Sequence, residues 1–302
     1  MKKHQRAIRT GVIILITCIF AFTLSTAAVA SGQKGFTPKQ GKLFMKEIGD
    51  VKFHTYFAKG MVSHIIETKN VLIMQDTVQM APHNAELKAF IQSLNKPVER
   101  IIISHLHDHH WLGLEMFEGS KIYALEDVIK KIREKGQGML QGAKKRFGEK
   151  MIPYNKVVIP SYFVNPGEET IDGLRVRFIQ PSEPWLKRQA NLLWMEFPDQ
   201  KVIIIHHLAY VGMHFPPPPI PARIAKLKEL KAKGYNYIMP GHGLPLPGAA
   251  FADQATAYFE TVQKVVKASP DVKTAKEKLM KAYPKYGAPY LLDMMLPFHY
   301  KK

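Results

Sequence analysis

The sequence predicts an α+β fold in which two β-sheets pack together and helices cover them on the outside. Three observations predict it. The elements run in the order strands, helix, strand, helices, strands, helix, strand, helix, which divides the chain into two halves of similar build. The β-branched run Arg100-Ile101-Ile102-Ile103-Ser104 reads as a strand buried on both faces. Histidines recur at the ends of three separate strands, where a rigid scaffold can bring distant side chains together.

The elements follow from local pattern. Residues 42–77 read as successive short strands, with Val51 to Phe57, Val62 to Glu67 and Val71 to Met74 separated by turn residues. Leu87, Phe90, Ile91 and Leu94 recur at helical spacing and predict a helix from about Ala85 to Leu94. Residues 122–150 look helical, strongly basic and external. From Val157 to Gln180 the strand pattern returns, with turns at Asn165-Pro166-Gly167 and Asp172-Gly173. Leu192 to Phe197 and Lys201 to Ile205 form a hairpin around Pro198-Asp199-Gln200. A helix from Ala222 to Lys233, a strand from Tyr235 to Met239 and a helical C-terminal part from about residue 250 complete the order.

The N-terminus has a different character. Lys2, Lys3, Arg6 and Arg9 precede the apolar run Gly11 to Leu24, and small residues follow to Ala28-Val29-Ala30. This three-part build is that of a secretory signal peptide over residues 1–30, which leaves a single domain over 31–302 and places the protein in the periplasm or outside the cell. A retained anchor is the alternative; the apolar run is short beside the roughly 20 residues that a membrane span needs. Cys18 is the only cysteine, so the exported chain would hold neither disulfide nor thiolate ligand. A tightly bound transition metal would then depend on His, Asp or Glu.

The formal net charge is +18, four of it from the basic N-terminal residues. Such a balance suits solubility, an anionic small-molecule substrate, or loose association with a membrane or envelope surface. No nucleic-acid motif accompanies it. At 46% apolar residues the chain can build a sizeable core.

Chemistry concentrates at Ser104-His105-Leu106-His107-Asp108-His109-His110-Trp111-Leu112-Gly113, directly after the buried strand. His105, His107 and His109 alternate and share a face if the chain is extended, and His110 joins them if it turns helical there. Neutral imidazole is the commonest metal ligand among side chains, so this density points to a metal centre.

The segment resembles the metallo-β-lactamase superfamily motif His-x-His-x-Asp-His, followed shortly by Gly. Pro240-Gly241-His242-Gly243 resembles the late turn that carries the family's last histidine ligand, and Asp76 resembles the acid that ends an early strand. The resemblance spans roughly residues 45–250 and implies the four-layer αββα sandwich, with metal at one edge of the two sheets. It carries metal-ligand roles to His105, His107, His110 and His242. The motif's aspartate falls on His109, and the family's metal-bridging aspartate falls on His207, in the pair His206-His207. Asp108 is one position early, and a one-residue shift in an extended segment turns a side chain to the other face. No histidine occupies residues 181–191, where the family's middle ligand is expected; Glu183 is the substitute there, or else a solvated loop acid.

Two divalent ions close together repel, and bridging anions make such pairs stable. Histidine in place of both aspartates therefore favours one tightly bound ion in a nitrogen-rich site. Zinc is the expected ion, and iron, copper and nickel suit the same donors. Three functions remain open: a hydrolase that uses a metal-activated water on an ester, amide, lactone or related bond, a non-hydrolytic metal-binding or redox protein, and a degenerate binding scaffold. In the first, His207 or His109 is a further ligand or the general base. His214, just before the run Pro216–Pro219, either supports the metal edge or is a surface residue.

Overall fold

The computed structural model describes residues 36–183 and 191–300; the signal peptide expected over residues 1–30 lies outside them. Within the described residues the first sheet opens as an antiparallel meander of β1 (Lys42–Ile48), β2 (Val51–Ala58), β3 (Met61–Glu67) and β4 (Leu72–Gln75). Helix α1 (Ala81–Ser93) leads into β5 (Val98–Ile103), which adds parallel to β4, and β6 (Ile122–Ala124) adds parallel to β5. Helix α2 (Glu126–Phe147) precedes the short edge strand β7 (Tyr162–Phe163). The second sheet is β8 (Gly167–Ile171), β9 (Leu174–Ile179), β10 (Trp194–Phe197), β11 (Val202–Ile205) and β12 (Tyr237–Pro240), in spatial order β12-β11-β10-β9-β8. Its pairings are antiparallel except β11 with β12, between which α3 (Ile220–Ala232) crosses over. Helices α4 (Gly248–Lys267), α5 (Val272–Ala282), α6 (Tyr290–Met295) and α7 (Pro297–Tyr300) complete the described chain.

The layering follows from strand alternation. In β11, Val202 and Ile204 enter one buried cluster while Ile203 and Ile205 enter another. The same split divides Met195 and Phe197 from Trp194 in β10, and Tyr237 and Met239 from Ile238 in β12. One face of the second sheet thus packs on the first sheet, and the other packs on α3, α4 and α5. The inner contact includes Phe53 of β2 edge-on to Phe197 of β10, with ring centroids 5.2 Å apart. This is the predicted arrangement of two packed sheets with helices outside.

Two local expectations change. Ile122–Ala124 is a strand rather than the start of a helix, because it pairs in parallel with Ile101–Ile103; three residues are too few for an alternation to show. Helix α1 begins at Ala81, ahead of the expected start, with Pro82 in its first turn, where no intrahelical N–H is needed. The Asp172-Gly173 turn is as expected: both residues take positive φ, 48° and 78°, and close the β8–β9 hairpin.

No helix among the described residues is long and apolar enough to cross a membrane. Phe197 is fully buried at the centre of the sheet–sheet contact. Phe197→Ala should therefore lower unfolding free energy by about 3–5 kcal/mol in a urea titration followed by circular dichroism; a loss below 1 kcal/mol would show that the two sheets do not depend on this contact.

Candidate metal centre

Four strand ends supply the centre. Asp76 follows β4, Ser104 and His105 follow β5, His206 and His207 follow β11, and His242 follows β12. β4 runs parallel to β5 and β11 parallel to β12, so each pair exits at one end of its sheet, and the grouped histidines bring the two ends to one edge of the sandwich. After His105 the chain turns through a short 3₁₀ segment, Asp108–His110, which brings four histidines of one segment round one point.

The two sheets are fastened together at this edge by polar contacts. His64 of β3 places Nε2 3.1 Å from the Pro240 carbonyl, and His206 places Nε2 3.2 Å from Gln75 Oε1. The Ser104 carbonyl accepts from Leu193 N at 2.8 Å. Gly241 is required here, because a Cβ on it would stand 2.0 Å from His206 Nδ1. Asp76 and His207 both hold positive φ, 62° and 58°, a conformation that costs a non-glycine residue about 1–2 kcal/mol. Their surroundings hold them there: Ser104 bonds the Asp76 carboxylate, and the buried Arg223 donates to the carbonyls of His207 and Leu208.

The imidazoles gather in three groups, each with its donor nitrogens within 4.8 Å of one another: His105, His107 and His207; His109, His110 and His242; and His105, His110 and His206. The first two share no residue. In the first, His105 Nε2 and His207 Nε2 are 2.8 Å apart, and in the second His109 Nε2 and His242 Nε2 are 3.1 Å apart. Two nitrogens on one tetrahedral zinc would be about 3.3 Å apart, so both groups are nearly the right size for an ion. The third surrounds a partner already present, since Asp76 Oδ2 lies 2.8 Å from His110 Nδ1 and 3.6 Å from His206 Nε2.

Neighbouring groups set the tautomers. Ser104 donates from its backbone N to Asp76 Oδ1 at 2.7 Å and from Oγ to Oδ2 at 2.7 Å. Its Oγ is thereby left to accept from His105 Nδ1 at 2.8 Å. His105 Nε2 then carries a lone pair and accepts from His207 Nε2. A line of hydrogen bonds so runs from His207 through His105 and Ser104 to Asp76. His242 Nδ1 donates to the Gly60 carbonyl at 2.5 Å, which frees its Nε2. Asp108 Oδ1 lies 3.5 Å from His109 Nδ1 and favours the same tautomer there. His110 Nδ1 lies 2.8 Å from Asp76 Oδ2, yet both His110 ring nitrogens are buried without a hydrogen-bond partner.

Burial, with the neighbouring imidazoles adding to it, pushes the ring pKa values down: His107 to about 4, His242 to about 3, and His105, His110 and His207 well below the usual range. The rings are thus neutral at pH 7, the state in which imidazole binds metal. Burial pushes the Asp76 carboxyl up to about 8, against the two hydrogen bonds from Ser104. An ion fits these residues. The donors converge, and His110 Nε2 is a buried acceptor with nothing to accept.

All six histidines expected as ligands meet at this edge. Asp108 belongs to none of the three groups and stands behind His109 instead. Glu183 also belongs to none of them; its carboxylate pairs with Lys226 of α3 at 2.7 Å. His214 is buried, not at the surface, with Nδ1 3.4 Å from Tyr258 Oη. Trp111 is a buried wall residue whose Nε1 donates to the Leu106 carbonyl. Sequence reasoning gave no role to His206, Ser104 or Tyr210, whose hydroxyl lies 3.4 Å from His207 Nδ1. The His206-His207 doublet was the one available signal.

No protein-family profile matches the chain, and no curated protein matches it by sequence. Solved structures do match by fold. A metallo-β-lactamase from Pontibacter korlensis is 17% identical with a TM-score of 0.52, over 72% of this chain and 99% of that one. One from Hirschia baltica is 16% identical with a TM-score of 0.51, over 73% and 98%. A double mutant of the sec-alkyl sulfatase PisA1 is 15% identical with a TM-score of 0.57, over 86% of this chain and half of the sulfatase. Two packed sheets, helices on both sides and a histidine centre at the shared strand edge give this chain the metallo-β-lactamase fold.

Proposed function

We propose that the protein is an exported, metal-dependent hydrolase of the metallo-β-lactamase superfamily, and that zinc is its ion. One observation carries the reading: six imidazoles converge in two three-nitrogen groups at the sheet edge. The structural neighbours named as β-lactamases and as an alkyl sulfatase support hydrolysis as the reaction class, although fold alone does not select the bond. The basic, apolar and small-residue N-terminus supports export.

The ion belongs with His109, His110 and His242. Each of these has an acceptor at or beside Nδ1, namely Asp108, Asp76 and the Gly60 carbonyl, and two of the three are carboxylates. Such partners orient the ring and raise its basicity. Asp108 adds negative charge directly behind His109, whereas in the other group His207 has only the Tyr210 hydroxyl at its Nδ1. A bound zinc ion supplies a Lewis acid for the scissile bond and acidifies a coordinated water. The chain's own contribution is to hold the ligand rings and to take up a proton. His207 Nε2, His105 Nε2, Ser104 Oγ and Asp76 form the line along which that proton moves. A redox reading has one observation in its favour: the two groups contain nitrogen alone, a donor set that copper also accepts.

Elemental analysis after dialysis should find close to one zinc per chain. His107→Ala should keep that ion and His109→Ala should lose it. Asp108→Asn, which leaves every imidazole in place, should weaken zinc binding about 10–100-fold in a chelator competition. Loss of the ion from His107→Ala with retention in His109→Ala would reverse the assignment.

The reaction class is tested separately. Chromogenic carboxylic esters, lactones, amides and sulfate esters are offered to the zinc-loaded protein. Turnover of at least one, abolished by chelation and restored by zinc, is expected. No turnover of any, or copper as the resident metal, would overturn the hydrolase reading.

A further inference from the structure

Six large hydrophobic residues are exposed among the described residues, and four of them, Met280, Tyr290, Met294 and Phe298, fall in the last helical segment. Tyr290, Met294 and Phe298 follow one another at four-residue spacing. Leu296, between α6 and α7, keeps helical dihedrals of φ −58° and ψ −37°, so the three lie on one side of a nearly continuous turn of helix. The other sides are already used. Leu292 and Leu296 are fully buried in the helical core. Leu291 and Met295 pack against Tyr210, Met213 and Phe215. Three sides of this helical segment are apolar and the fourth carries Asp293; two of the apolar sides are packed, and the third, that of Tyr290, is exposed.

Charge indicates what covers it. Residues 271–300 hold five lysines and three acids, and the whole chain carries +18. Lys276 is paired with Asp293, whereas Lys273, Lys281 and Lys285 are exposed and no ion pair among the described residues includes them. An exposed apolar stripe that follows within a few residues of exposed lysines is complementary to an anionic bilayer, with apolar side chains at the acyl boundary and ammonium groups at the phosphates. Leu291 and Met295, next to the stripe on the same helix, pack on Tyr210, which lies against His242 with ring centroids 4.8 Å apart.

We propose that Tyr290, Met294 and Phe298, with Lys281 and Lys285, form a docking surface for an anionic lipid bilayer, which brings the rim of the metal centre to the headgroups. This is independent of the hydrolase reading, and its test does not involve catalysis.

The test reads the stripe itself, whatever the apolar segment 11–24 does. In the full chain carrying Cys18→Ser, an environment-sensitive fluorophore is attached at Met294→Cys, and in a control at Lys121→Cys on the far strand β6 border. With vesicles of equal phosphatidylglycerol and phosphatidylcholine, the label at 294 should shift to the blue and be quenched by more than half by nitroxide lipids; the control label should not respond. Lys281→Glu with Lys285→Glu should raise the lipid needed for a half-maximal shift by about tenfold or more. Phe298→Glu should abolish the shift, with Tyr290→Ser as the substitute if circular dichroism shows that Phe298→Glu does not fold. An unchanged spectrum at 294 would overturn the proposal. A blue shift that needs no lipid and grows with protein concentration would also overturn it, and would assign the stripe to a second copy of the chain.

Discussion

The metal edge depends on one buried carboxylate. Asp76 sits where β4 meets β5, held by the backbone N–H and hydroxyl of Ser104, and it touches the histidine rings of both sheets. Through Ser104 it fixes the His105 ring; directly, it faces His110 from the first sheet and His206 from the second. A charge placed so deep is costly unless it is bonded or neutralised, and burial accordingly drives its proton affinity up. The cost is offset by the order it imposes. Three rings from two sheets take their orientation from a group that belongs to none of the three histidine groups, and the strained φ of Asp76 is retained because so many partners share it.

Much of this was legible in the sequence, and the reason is locality. The run Ile101-Ile102-Ile103 and the histidines after it are contiguous, so strand, turn and ligand spacing could be read in one window. Pro240-Gly241-His242-Gly243 is equally compact. The parts that escaped depend on contacts between distant segments. His206 gained its place from Gln75 and Asp76, 131 and 130 positions away in the chain, and no local pattern marks that. β6 exists because β5 offers it a parallel edge. Residues 157–180 carry strand-like composition throughout, yet only 162–163, 167–171 and 174–179 found partners. Glu183 is as good a ligand as any acid by sequence, but Lys226 on α3 is nearer.

Replacing aspartate by histidine at positions 109 and 207 alters the electrostatics without dispersing the donors. Both rings stand within the three-nitrogen groups, so the geometry for two ions survives while the negative ligand charge that would join them is gone. The nearest carboxylates stand one layer outwards, Asp108 behind His109 and Asp76 behind His110. They can still stabilise a cation, but unequally, and one group is favoured over the other. An arrangement that is symmetric in its donors is therefore asymmetric in its field.

The contact between Gly241 and His206 reaches beyond the site. A methyl group at 241 would overlap the His206 ring, and that ring is fully buried between the two sheets with no room to retreat. The two positions are locked as a pair: any larger residue at 241 is tolerated only after 206 has become smaller, while a smaller residue at 206 leaves 241 free. Substitutions here can accumulate in one order and not in the other, so descendants of this chain should keep the glycine for as long as they keep the histidine.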